Sequence, residues 1–266
     1  MKVELISYTP NPIQQMYLAA TRCVTAGEVK PSDPETMKRV VEKCLNAGHL
    51  TVAEFVDFTF SIEGITRSCS HQLVRHRHAS FCQMSERRVK IGADGGIEKF
   101  EQFLKNPNST SCEQMAELLS KYFNLDSAIL AGPLCICAFS NYLEMVQNGV
   151  PVEQARAVLP ECTLTNLYMH VNLRSLIEMA RLRLCTKSEN EIRRLFAEIV
   201  TQVRRLGGKT IDPEGNFLAT WLVPKCYHYG RCNELNGCGH IERIHKMEKE
   251  KESIENDIES TEAENE

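Results

Sequence analysis

Residues 55–65, FVDFTFSIEGI, constrain the fold more than any other stretch of the chain. β-Branched and aromatic residues alternate there at period two, the mark of a strand with one face covered and one face open. A helix cannot use that pattern, because residues sharing a helical face sit three and four apart. Elsewhere the spacing changes. Residues 2–8 alternate as an opening strand, whereas 11–24, 33–48, 112–123, 131–148, 163–186 and 188–206 carry helical spacing. Ser32 and Asp33 stand as cap candidates ahead of the second of these helices, and Gly48 lies just past its end. A short helix over roughly 65–75 follows the strand, and ADGGIEKF (93–100) reads as a turn entering another. This mixture predicts an α+β fold. With no internal repeat or linker in view, residues 1–245 read as a single domain. Residues 246–266, KMEKEKESIENDIESTEAENE, have almost no apolar content and read as a solvated, disordered tail.

Within 163–186, read as one helix, Leu173, Ile177, Ala180 and Leu184 fall on one side, and Tyr168, Leu176 and Met179 widen the apolar surface. Arg174, Glu178 and Arg181 form a charged strip at spacings of four and three, where opposite charges pair. Arg183 stands apart from that strip, above Asn172 and beside Leu176 and Met179. A buried Arg with no local carboxylate needs another acceptor, and a ligand is the expected source.

Charge and composition exclude several classes. A formal net charge of −4 over 266 residues argues against a general nucleic-acid binder, which would be basic overall. No apolar run approaches the ~20 residues of a membrane helix. The opening MKVELISYTP has no signal-peptide layout, so a cytoplasmic location is expected. In that compartment the twelve cysteines are not expected to form a disulfide framework. Cys44, Cys135, Cys137 and Cys185 sit among apolar neighbours and read as small core fillers. Cys226, Cys232, Cys238 and His240 are a separate group. Four such ligands suffice for a structural zinc site, but the spacing C-x5-C-x5-C-x-H is not the paired knuckle, and no metal is assigned to the chain.

The densest chemistry lies in residues 72–88, QLVRHRHASFCQMSERR. Arg75, Arg77, Arg87 and Arg88 supply bidentate forks, and serines with backbone amides fill the remaining acceptor sites of a phosphate. Leu73, Val74, Ala79, Phe81 and Met84 are interleaved, which marks a packed segment and not a free basic patch. Binding of a phosphate-bearing ligand is the leading reading; a solvated basic surface and a nucleic-acid loop are the alternatives.

Arg75-His76-Arg77, seven residues, then Ser85 is the RHR-x7-S signature of the flavin-dependent thymidylate synthases, and the chain resembles that family there. The resemblance extends to GHLTVAEFVDFTF (48–60), Gln72, EQARAVLP (153–160), VNLRSL (171–176) and RLRLC (181–185), covering about residues 15–206. It implies a homotetramer with a central twisted, mostly antiparallel sheet wrapped by helices and active sites at subunit interfaces. It implies methylation of dUMP to dTMP, with methylenetetrahydrofolate as carbon donor, NADPH as reductant and FAD as cofactor, and no nucleic-acid or membrane partner. By position, His49, Thr51, Glu54, Arg75, His76, Arg77, Gln83, Asn172, Arg174 and Glu178 would contact FAD. Gln72, Arg75, Gln83, Met84, Ser85, Glu86, Arg87, Arg156 and Arg183 would bind dUMP, with Arg183 catalytic as a donor toward charge developing on the uracil ring. Ser85 reads as a binding hydroxyl, since no enzymatic nucleophile is required. The chain departs from the family pattern at His78, Cys82, Arg88 and Glu178, where a carboxylate would repel an anionic cofactor unless Arg174 or Arg181 neutralises it. Two other readings stand beside this one: a diverged member acting weakly or on another pyrimidine, and a zinc-stabilised nucleic-acid-binding module.

Overall fold

A computed structural model describes residues 1–106, 111–124 and 128–246. Its frame is one four-stranded sheet of β1 (Lys2–Tyr8), β2 (Asp57–Thr66), β3 (Ala79–Gln83) and β4 (Leu164–Asn172), in the order β1-β2-β4-β3 with every pairing antiparallel. The alternation that predicts β2 sets its register. Phe58, Phe60 and Ile62 lie opposite Val171, Met169 and Leu167 of β4, all six buried, and Thr59 and Ser61 face the other way opposite His170 and Tyr168. A bulge between Ile62 and Ile65 accommodates Gly64, which sits at φ 69° and donates its N–H to the Asn166 side chain at 2.8 Å. A side chain at that φ would be strained.

The helices are α1 (Pro12–Arg22), α2 (Pro34–Asn46), α3 (Arg67–Leu73), α4 (Gly96–Lys105), α5 (Cys112–Ser120), α6 (Ala128–Gln147), α7 (Val152–Ala155), α8 (Leu173–Arg183), α9 (Asn190–Arg205), α10 (Pro213–Ala219) and α11 (Lys225–Tyr229). The capping expectation for α2 holds: Asp33 accepts from the Thr36 N–H at 2.9 Å, and Gly48 follows the helix at φ 80°. On α9, Ile192, Leu195, Phe196, Ile199 and Val203 form a buried stripe at spacings of three and four. That stripe joins Met16, Val41, Leu45, Leu176, Ile177 and the inner face of the sheet in the main core. A second apolar cluster gathers α4, α5 and α6 around Phe100, Phe123, Phe139 and Tyr142, whose hydroxyl accepts from the Ile91 N–H at 3.1 Å.

Residues 163–186 are not one helix. Leu164–Asn172 is β4, and only from Leu173 does the chain turn helical. The reason is again period two: Thr165, Leu167, Met169 and Val171 are buried while Asn166, Tyr168 and His170 are exposed. Tyr168 therefore belongs to the open face of the sheet, 54% exposed, and not to an apolar helix surface. Asn172 marks the switch, holding an extended backbone while its side chain accepts from the Ser175 N–H at 2.9 Å. The strand β3 and the short helices α7, α10 and α11 are further elements that the spacing does not announce. Of the cysteines read as core fillers, Cys135 is buried, Cys44 and Cys185 are half-buried, and Cys137 points outward from α6 despite its apolar neighbours in sequence. The charged tail lies outside the described residues from 247 onward.

Candidate active site

Three chain segments meet where β4 gives way to α8. The first is the turn 74–78 between α3 and β3. Thr66 caps α3 by accepting from the Cys69 N–H at 3.0 Å, and Glu191 fixes Thr66 in turn through its N–H (2.9 Å) and hydroxyl (2.6 Å). Because Ala79 pairs with Val171, the preceding Arg77 and His78 are delivered beside Asn172. The second segment is the first two turns of α8. The third is the 3-10 segment Leu50–Phe55.

Together they enclose a cavity of about 560 Å³ lined by Glu54, His76, Arg77, His78, Asn172, Arg174, Ser175, Glu178 and Met179. A smaller recess of about 170 Å³ shares Arg77, His78 and Asn172 and continues to Ser80 and His170. Arg174 is ion-paired with Glu54 and Arg181 with Glu178, so neither carboxylate stands uncompensated. Arg77 has no ion-pair partner among the described residues and is exposed to the cavity.

Behind the cavity wall runs a hydrogen-bonded chain. Arg183 donates through Nε to His76 Nε2 at 2.9 Å, and through its two Nη atoms to the Gln72 side-chain oxygen (3.3 Å) and backbone carbonyl (3.2 Å). The Gln72 amide then donates to the Glu189 carboxylate. Burial, and then the charge of Arg183, push His76 from 6.5 down to about 4. A neutral imidazole with its acceptor nitrogen toward a guanidinium fits the observed contact, and this places the ring proton on Nδ1.

The site residues expected from sequence separate into groups. Glu54, His76, Arg77, Asn172, Arg174 and Glu178 line one cavity, with Gln72 and Arg183 attached to it through His76. Arg75, His49 and Thr51 are exposed and do not line it. The remaining set lies along the chain beyond β3. Gln83 donates to Ser70 (2.9 Å) and Thr165 (3.2 Å); Ser85 begins a turn whose carbonyl accepts from the Arg88 and Val89 N–H groups; Glu86 is buried against Arg67 at 3.4 Å. Met84 lines a different cavity with Lys90 and Tyr122, Arg87 is exposed, and Arg156 bonds the Glu153 carbonyl at 3.1 Å.

Two sequence expectations need correction. Arg183 is half-buried, and its donors are met inside the protein by His76 and Gln72, so it does not require a ligand to satisfy it. The buried arginine of α8 is Arg181, which closes the charged strip with Glu178, while Arg174 leaves the strip for Glu54. Sequence reasoning missed Glu189, whose only signal is an acidic residue at the start of α9, and His78 and Ser175 as cavity walls.

The donor set of the cavity suits an anionic dinucleotide. Two guanidinium groups and the N-terminal end of an eleven-residue helix converge on it, and both are diphosphate-binding devices. Its volume lies within the range of about 300–1,000 Å³ usual for cofactor sites.

Comparison with known proteins agrees. Residues 4–206 match the family described as thymidylate synthase complementing protein. The chain is 36% identical over 208 residues to a flavin-dependent thymidylate synthase of Geobacter sulfurreducens, covering 77% of this chain and 82% of that protein. It is 32% identical over 243 residues to one of Pyrococcus horikoshii, covering 88% and 90%. In fold it resembles the flavin-dependent thymidylate synthase ThyX of Helicobacter pylori complexed with FAD and dUMP, with a TM-score of 0.67 at 19% identity, over 84% of this chain and 100% of that one. By sequence over most of its length, with a fold that matches, the chain belongs to the thymidylate synthase complementing protein family, that of the flavin-dependent thymidylate synthases.

Proposed function

We propose that this protein is a flavin-dependent thymidylate synthase that converts dUMP to dTMP, taking the one-carbon unit from 5,10-methylenetetrahydrofolate and reducing equivalents from NADPH. The observation that carries this reading is the cationic cavity joining the Arg75–His78 turn to the N-terminus of α8, in a chain that matches the family across residues 4–206. The cofactor is FAD, which supplies the hydride chemistry when bound. Arg77, Arg174, Asn172 and His76 hold it in the cavity, with Glu54 and Glu178 at the wall and His49, Thr51, Arg75 and Gln83 completing its contacts. Gln72, Arg75, Gln83, Met84, Ser85, Glu86, Arg87, Arg156 and Arg183 bind dUMP. These residues are spread over one chain, which favours a homotetramer in which neighbouring subunits complete each site.

Arg183 is the catalytic residue of this reading. Carbon–carbon bond formation at uracil C5 puts negative charge on the ring carbonyls, and a guanidinium aimed at that edge stabilises it. His76, neutral at working pH, holds Nε of Arg183 without competing for its charge, and Gln72 holds both Nη atoms. A planar fork gripped at all three nitrogens arrives with little orientation left to lose. Glu178 is ion-paired with Arg181, which removes one of the two grounds, Glu178 and Cys82, for reading the chain as a diverged member. The fold reads as one domain over residues 1–245, working in the cytoplasm; among the described residues no helix is long and apolar enough to cross a membrane.

The test is anaerobic incubation of FAD-loaded protein with NADPH, dUMP and methylenetetrahydrofolate. Formation of dTMP that depends on all three is the expected outcome, and its absence from flavin-loaded protein would overturn the assignment.

A further inference from the structure

Cys135 lies on α6 four residues before Phe139, and so on the same face of the helix. That face is turned into the second apolar cluster: Phe139 is fully buried, edge-on to Phe100 and Phe123, and Cys135 is buried with it. Against Cys135 stands Cys162, two residues before β4 begins. The two sulfurs are 3.5 Å apart, although 27 positions separate them in the chain. We propose that Cys135 and Cys162 are a modification site, a dithiol that a hydroperoxide oxidises to a reversible disulfide stapling α6 to the approach of β4.

The backbone on each side is held without help from the sulfurs. Cys135 stands inside the 20-residue α6, clear of both ends. The Cys162 carbonyl accepts from the Asn124 N–H at 2.8 Å, and the Leu164 N–H donates to the Tyr122 carbonyl at 2.8 Å. Between them Thr163 pairs with Phe123 as an isolated antiparallel bridge, and its N–H and hydroxyl both bond the Pro160 carbonyl, at 2.9 and 2.6 Å. The meeting of the two thiols is therefore a property of the fold. A covalent bond asks the sulfurs to approach by roughly a further 1.5 Å, a distance that rotation about the two Cα–Cβ bonds covers.

The two thiols are unequal, and their roles follow from that. Cys135 is 1% exposed; burial, and then the neighbouring Cys162, push its thiol up to about 12, so it stays an S–H at working pH. Cys162 is half-buried and within reach of a small reagent from solvent. Cys162 meets the oxidant, and Cys135 resolves the product. In the first step the Cys162 sulfur attacks one peroxide oxygen and the O–O bond breaks. The other oxygen leaves as an alcohol, or as water from hydrogen peroxide, and Cys162 becomes a sulfenic acid. In the second step the Cys135 sulfur attacks that of Cys162, the S–O bond breaks, and hydroxide departs as water with the Cys135 proton. Two electrons pass from the thiols to the peroxide, and a small dithiol returns them by exchange.

Such a bond agrees with reduced thiols elsewhere in the chain, because the disulfides found in reducing compartments are mostly transient and redox-sensing. Its effect is mechanical. It closes a long loop, which restricts the unfolded chain, and it ties the cluster of α4, α5 and α6 to the sheet through β4. The site is independent of the proposed activity, since neither cysteine lines the active-site cavity.

The experiment treats FAD-loaded full-length protein with a few equivalents of hydrogen peroxide, blocks free thiols by alkylation, and maps the digested peptides by mass spectrometry. The expected product is a peptide pair joined through Cys135 and Cys162 in most chains, lost again on treatment with dithiothreitol. Oxidation should raise the melting midpoint by several degrees, and reduction should reverse the rise. Cys135→Ser should leave Cys162 as a sulfenic acid trapped by dimedone, while Cys137→Ser, at an exposed thiol on α6, should leave the joined pair unchanged. Should Cys135→Ser fail to fold, the peptide map of the wild-type chain still decides. Both thiols recovered in alkylated form after peroxide would mean that the pair only fills the core, and would overturn the proposal. A joined pair that forms only in urea-unfolded protein, or Cys162 oxidised without joining Cys135, would overturn it equally.

Discussion

Arg183 donates from all three of its guanidinium nitrogens, to His76 and Gln72, and its replacement separates catalysis from structure. Arg183→Ala should lower turnover by about 10²–10³ while shifting the unfolding midpoint little, because the group is half-buried and its partner His76 lines the cavity. Steady-state kinetics beside urea denaturation of the same preparation checks both halves. Glu189 acts one step further back. Glu189→Ala should loosen Gln72 and reduce kcat/KM, and combining it with Gln72→Ala should cost no more than Gln72→Ala alone; additive losses would detach Glu189 from the network. His76 gives the site an acid limit. The unfolded chain takes up a proton near pH 6.5 and the folded chain only near 4, so this contribution to stability is complete above the first value and is lost as pH falls toward the second. Denaturation midpoints measured across that window should decline for the native protein and flatten for His76→Gln. At this scale the motif is legible in sequence because Arg, His and Ser at fixed spacing already imply an anion site. Glu189 is not, since a carboxylate at a helix start has an ordinary capping explanation and its contact with Gln72 spans 117 positions.

At the scale of elements, the stretch 163–186 shows how two periodicities can be mistaken for one. Leu167, Met169 and Val171 are two apart, Leu173, Ile177 and Ala180 are four and three apart, and without a visible break they merge into one long apolar pattern. The break is Asn172, a residue that is mediocre in a helix and strong as its cap. Asn172→Ala should cost about 1 kcal/mol of stability, within the 0.5–2 kcal/mol usual for lost caps, and should also weaken FAD binding because the Asn172 side chain itself lines the cavity. Urea unfolding and flavin titration read these two effects separately. β3 escapes notice for a different reason: its residues look like loop chemistry, and only pairing with β4 makes a strand of them. α2, capped by Asp33, and α9, with its clean apolar stripe, emerge close to their expected bounds.

For the molecule as a whole, the sheet order is the fact that sequence does not contain. β2 and β4 pair although residues 67–163 lie between them, and the pairing of β3 with β4 then brings the Arg75–His78 turn against α8. Local patterns therefore announce an α+β class but not the cavity, whose walls come from residues 54 to 179. The cavity in turn predicts how cofactor and fold are linked. Replacing Arg75 and Arg77 by Ala should weaken FAD binding by about 1.5–3 kcal/mol for each charged hydrogen bond lost. Saturating FAD at about one hundred times its Kd should raise the stability of the native protein by about 2.7 kcal/mol and that of the double variant by much less. Thermal melts with and without cofactor measure the difference.

The position of β3 at the rim of the sheet has a consequence of another kind. An outermost strand leaves a row of backbone donors and acceptors open, and such a row recruits strands from other molecules. Arg75 and Arg77 precede this strand and Arg87 and Arg88 follow it, so the cations credited with holding phosphates also repel like copies and keep the rim from templating aggregates. In the proposed reading, ligand recognition and colloidal protection fall on the same side chains, and neutralising them for one purpose removes the other.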